Sequence, residues 1–162
     1  MIAESQITKE LKKLDRLYSK SIVKGDQKIY SKMAIIECCG WVEQTMDKLT
    51  LFIKRTIKKD FNRKYLEEKV EKNNSFSYEH FRQILIYAYG IRLLEKIEES
   101  IDNIEEFKST LRTLKKMRDN CAHTYIHGIQ QTFNAPSVII SHYIIVLKYL
   151  KFYEIQIKRL NS

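Results

Sequence analysis

A chain of 162 residues fits one domain with its own core, and its length gives no reason to expect a second. One proline and four glycines beside 44% hydrophobic residues leave few turns and long uninterrupted elements, a balance that favours helices. The net charge of +9, from 29 Lys and Arg against 20 Asp and Glu, attracts polyanions without choosing among RNA, DNA, an acidic protein and an anionic membrane.

Three cysteines, two of them adjacent as Cys38 and Cys39, make neither a disulfide framework nor a metal-type spacing and point to a reducing compartment. The first ten residues hold no apolar run, so no signal peptide is expected. Residues 138–157 are apolar enough in length to suggest a membrane span. Lys148, Lys151 and Glu154 interrupt them, and each is costly in hydrocarbon. A soluble cytoplasmic chain without a membrane partner is expected.

In chain order, Ile7, Leu11, Leu14, Leu17 or Tyr18 and Ile22 recur at helical spacing and predict a helix over 5–24, closed by Gly25-Asp26. A longer helix follows over about 31–59. Ile35, Cys39, Val42, Met46, Leu49 and Ile53 alternate steps of four and three, which keeps one face apolar. The cysteines read as small core residues. Gly40 inside this helix costs about 1 kcal/mol against Ala, so close approach of another backbone is the expected reason for it. Glu43, one turn from Gly40 and from Asp47, lies at the edge of the stripe, where a solvated carboxylate or an ion pair is the plain expectation. Lys54, Arg55, Lys58 and Lys59, continued as helix, would form a positive face able to contact RNA.

Residues 60–77 read as a weak helix fading into the polar Asn73-Asn74-Ser75. Ser77 is a good N-cap, with His80 at the capping-box position, for a helix over 77–100. Its centre, residues 84–91, is apolar nearly all round and predicts the most buried helix of the fold. Asp102 or Asn103 caps the next helix, whose first turn holds Glu105 and Glu106 and whose stripe is Phe107, Leu111, Leu114, Met117 and Cys121. Gly128 is a stop signal, 128–136 a loop, and Pro136 sits where a last helix over 137–160 begins. The apolar surface of that last helix is explained by a central position or a subunit contact. The expected architecture is an all-α, antiparallel bundle of about five helices in a single domain over 1–162.

The densest chemistry is Arg118-Asp119-Asn120-Cys121-Ala122-His123-Thr124-Tyr125. Asp119 and His123, four apart, share a helix face, so the carboxylate can orient the imidazole and favour its charged form. Arg118 and His123 are five apart and diverge by roughly 140° on a straight helix. A two-fold dimer with these helices face to face would instead bring Arg118 of one copy to His123 of the other. Such a cleft suits RNA, which carries its own 2′-hydroxyl nucleophile and needs no metal in principle. An imidazole titrating near neutrality moves the proton, and a guanidinium holds two phosphate oxygens as charge develops. Asn120 can donate to phosphate or ribose, and Tyr125 can donate or stack on a base. Taken without context, an Arg, an Asn and a His near a helix end more often make capping and dipole contacts.

The Arg118-x4-His123-x-Tyr125 pattern, with polar Asp119 directly after the arginine, resembles the active-site motif of the HEPN superfamily (higher eukaryotes and prokaryotes nucleotide-binding domains). So do Cys-Gly-Trp-Val-Glu-Gln in an early long helix and Arg-Asp-Asn-Cys-Ala-His in a late one, across most of residues 30–160. The resemblance implies a metal-independent endoribonuclease without a cofactor, of the toxin or defence type, with catalytic Arg118 and His123 at a homodimer interface. It implies Glu43 as a third group of the site. It also implies regulation through Tyr125 by a nucleotidyltransferase-type antitoxin on a separate chain.

Three readings compete. Asp119, His123 and His127 fall on one helical stripe that a zinc ion could bridge, with no evident fourth ligand. A helical scaffold that binds RNA or protein without cleavage would keep the dimer and the basic face. DNA binding through a basic helix is weaker, because no helix-turn-helix spacing is present.

Overall fold

The structure, a computed structural model, describes residues 2–72, 75–122 and 132–160. Among them all regular structure is helical: α1 (Ser5–Lys20), α2 (Lys24–Leu51), a 3-10 turn (Phe52–Arg55), α3 (Asp60–Glu71), α4 (Tyr78–Tyr89), α5 (Ile91–Glu99), α6 (Ile104–Ala122) and α7 (Pro136–Leu160). Seven α-helices therefore stand among the described residues where about five were expected.

The difference has local causes. The single helix expected over 77–100 breaks at Gly90, whose φ of 83° and ψ of 153° suit a residue without Cβ. Gly90 still ends α4 by donating its N–H to the Ile86 carbonyl at 2.9 Å, and its own carbonyl accepts from Leu94 in the first turn of α5. Residues 60–71, read as weakly helical, form α3 and bury Leu66 and Val70. Gly25-Asp26 does not close α1 but lies in the first turn of α2, where the Asp26 carboxylate suits the positive end of the helix. The turn comes earlier, at residues 21–23, leaving Ile22 98% exposed and outside the core.

The center of the fold is α2, not α4 as the apolar run over 84–91 suggested. Along α2, Ile35, Cys38, Cys39, Val42, Met46 and Leu49 are buried. Each such aliphatic side chain contributes about 1.5–3 kcal/mol when removed from water. α2 packs against α1, α3, α4, α6 and α7. α1 and α6 each pack on both α2 and α7, so the α2–α7 pair is the common wall of the molecule. On the wall's α7 side stand Ile139, Tyr143, Val146, Tyr149, Leu150, Tyr153 and Ile157.

Polar contacts tie the long helices at defined points. Thr8 and Tyr143 share a hydroxyl hydrogen bond of 2.9 Å, and the Trp41 indole N–H donates to the Ala3 carbonyl at 2.8 Å. The Trp41 and Tyr143 rings meet edge to face at 5.0 Å. Ser77 caps α4 as expected, accepting from the His80 N–H at 3.3 Å while its hydroxyl meets His80 Nδ1 at 2.8 Å. Pro136 begins α7, where its fixed φ and missing N–H cost nothing. No helix among the described residues is long and apolar enough to cross a membrane.

Candidate functional site

Arg118 reaches the site because burial fixes the helix that carries it. Phe107, Leu111 and Leu114 anchor α6 in the core, and the stripe then runs out through half-buried Met117 and Cys121. One turn beyond Leu114, Arg118 is about a third exposed and lies where α6, α2 and the segment before α4 meet.

Its guanidinium carbon sits 4.8 Å from the center of the Phe76 ring, a cation–π distance, and Phe76 itself is fully buried. Arg118 Nη1 lies 3.8 Å from Glu43 Oε2 on α2, and Nε lies 3.8 Å from Asp119 Oδ1. Both are long, partly solvated ion pairs of the kind worth little in stability. Asp119 and Asn120 are exposed.

A second carboxylate follows Glu43 by one turn. Burial, and then the negative charge of Glu43, push Asp47 up to about 6. On the opposite flank Cys39 donates its thiol to the Leu114 carbonyl at 3.6 Å. Burial raises Cys39 to about 12 although Arg118 pulls the other way, and burial also raises Cys38. Both are core thiols without nucleophilic character, as the sequence implied.

The basic run does not form the positive face expected of it, because α2 stops at Leu51. Lys54 and Arg55 lie in the 3-10 turn, and Lys58 and Lys59 in the extended connection to α3. Lys54 pairs with Glu67 and Arg55 lies over the Phe52 ring at 5.1 Å. Arg63 donates to the Ile57 carbonyl at 2.7 Å and to the Lys58 carbonyl at 3.3 Å, which holds the connection against α3. Lys58 and Lys59 are exposed.

The close backbone approach expected at Gly40 is not made within the chain: a Cβ added there would meet nothing within 4 Å among the described residues. His123, Tyr125, His127 and Gly128 lie outside the described residues. Among the described residues no three His, Cys, Asp or Glu side chains gather as a metal site.

Phe76 and Asp47 are the members of the arrangement that sequence reasoning did not single out. Phe76 follows a polar connection with no helical period to flag it. Asp47 carried a signal in its spacing of four from Glu43. The arrangement presents one guanidinium on an aromatic floor, ringed by carboxylates it can exchange for another anion. No family model matches this sequence, and no curated protein or solved structure matches it.

Proposed function

We propose that the protein is a metal-independent endoribonuclease of the toxin or defence type, acting as a homodimer on RNA. The reading is carried by the placement of Arg118. Its guanidinium stands at the outer end of α6, backed by Phe76 and held by ion pairs loose enough to exchange, five residues before His123. In this reading Arg118 binds two non-bridging phosphate oxygens as charge builds on the phosphorus. His123 moves the proton between the 2′-hydroxyl and the leaving 5′-oxygen. Asp119 orients His123, Asn120 donates to phosphate or ribose, and Tyr125 stacks on a base or takes the modification by which a nucleotidyltransferase partner silences the site. Glu43 holds Arg118 until substrate displaces it, and Lys54, Arg55, Lys58 and Lys59 add to the attraction of RNA.

The test is cleavage of a labelled structured RNA in EDTA by wild type, Arg118→Ala and His123→Ala. Wild-type products with 2′,3′-cyclic phosphate ends, absent from both variants, are the expected result. Intact RNA with pure wild-type protein removes the catalytic claim.

One observation favours a second reading, a non-catalytic scaffold that binds RNA or protein. Glu43 and Asp119 both stand at the single guanidinium, Asp47 adds its charge beside Glu43, and carboxylates repel phosphate. RNA binding that survives His123→Ala, with no cleavage by any form, would support it.

A further inference from the structure

The outer face of α2 carries an apolar row that is left about half exposed. Opposite its buried stripe, Ile29, Met33, Ile36, Gly40, Glu43 and Asp47 recur at steps of four and three, so they lie along one line. Ile29, Met33 and Ile36 are 54%, 43% and 53% exposed, an apolar row in the middle of a 28-residue helix. Gly40 continues the row as a notch, with open space where its side chain would be. Beside the notch runs a groove of about 570 Å³, walled by Ile36, Gly40, Trp41 and Gln44 on one side and by Gln6 and Ile7 of α1 on the other.

Charge is distributed along α2 in two halves of opposite sign. Residues 24–36 carry three lysines and one aspartate, and residues 37–51 carry two glutamates, one aspartate and one lysine. A notch with Ile36 as its knob and two halves of opposite charge on one helix are complementary to the same helix running the other way.

We infer that a second copy of this chain docks here, α2 against α2 in antiparallel fashion, crossing at the two-fold axis near residue 38. In that register Ile36 of each copy seats in the Gly40 notch of the other, which is the reciprocal pairing a two-fold contact requires. Met33 then faces the turn holding Glu43 and Gln44, and Ile29 the turn holding Asp47. The lysine-bearing half of each α2 lies along the carboxylate-bearing half of its mate. This local match opposes the repulsion between two chains of charge +9. Glycine at the crossing lets the backbones approach closely, which accounts for a residue that costs about 1 kcal/mol in a helix interior. The contact also places the Arg118 sites. Glu43 lies five residues from the crossing, about 7.5 Å along the axis, so the two sites flank the interface.

The inference deepens the ribonuclease reading by naming the surface that joins two copies, and rests on that reading only for its consequence for cleavage. The experiment is sedimentation of the full chain at micromolar concentration, as wild type, Ile36→Glu, Gly40→Leu and the control Ile155→Glu, an exposed position on α7. Circular dichroism of each variant checks that it is folded, and a Cβ at Gly40 meets nothing within 4 Å in the isolated chain. The expected result is a wild-type dimer, weakened by about tenfold or more in both α2 variants and unchanged in the control. A wild-type monomer, or a dimer that both α2 variants leave intact, overturns the inference. RNA cleavage followed in the same samples separates the two claims. A dimer broken by the α2 variants but inert on RNA keeps the surface and removes the nuclease, whereas cleavage by a wild-type monomer does the reverse.

Discussion

The two ends of α6 are held by different physics. Near its start, Phe107 is fully buried, stacked on Tyr149 at 5.1 Å and packed near Tyr78 and Tyr153. Near its end, Arg118 is held by a ring face and two carboxylates at 3.8 Å, all partly open to water except the ring. The first end is fixed by apolar contacts with no substitute in solvent. The second is fixed by contacts for which water or an anion can be exchanged at little cost. One helix can thus be rigid where it belongs to the fold and replaceable where it meets a ligand.

The largest effect should come from the buried end. Phe107→Ala is expected to cost about 3–5 kcal/mol, read as a lowered urea midpoint, because the cavity lies among rings that cannot close over it. Arg118→Ala should invert that pattern, lowering RNA cleavage by about 100-fold or more while moving the urea midpoint little. A large loss of stability in Arg118→Ala would show that its ion pairs are structural and that the two ends of α6 are alike.

Asp47→Asn sharpens the comparison through pH. The folded carboxyl titrates at about 6, above its ordinary 3.8, so the folded state binds the proton more tightly than the unfolded chain does. Asp47 therefore detracts from stability most fully above pH 6, and the penalty fades as pH falls toward 4. Asp47→Asn should raise Tm by about 2–4 °C at pH 8 and by much less at pH 4. An equal gain at both values would remove the electrostatic account. The smallest effect belongs to the exposed connection. Lys58→Ala with Lys59→Ala should leave Tm unchanged and reduce the salt dependence of RNA binding by about one unit of slope per lysine that touches phosphate.

What the sequence made legible divides along the same line. Stripes of buried side chains announced α1, most of α2 and the start of α6, because burial imposes a period. The Ser77 cap and the Pro136 start were legible because each answers a local backbone requirement. Gly90 was not, since it sits inside an apolar run whose period continues across it, and only its backbone angles separate α4 from α5. The basic run misled for the opposite reason. Its spacing suits a helix, but α2 gives way to a 3-10 turn before reaching it. In the candidate site, Arg118 and Asp119 were readable as chemistry and as spacing, whereas Glu43 by itself read as a solvated carboxylate or an ion pair and entered the site only through the resemblance. Phe76 was not, because nothing local marks a residue of one connection as the floor beneath an arginine from another helix.

Trp41 is the only tryptophan of the chain, and it stands at a useful place. Its indole is tied to Ala3, edge-on to Tyr143 and forms part of the groove wall beside Gly40. Excited at the red edge of its absorption, where tyrosine does not absorb, the unlabelled protein therefore emits from one address. Detachment of the first helix, wetting of the α2–α7 wall and filling of the groove would each change the color or intensity of the same signal. The molecule carries its own optical gauge on the surface where a second copy would arrive.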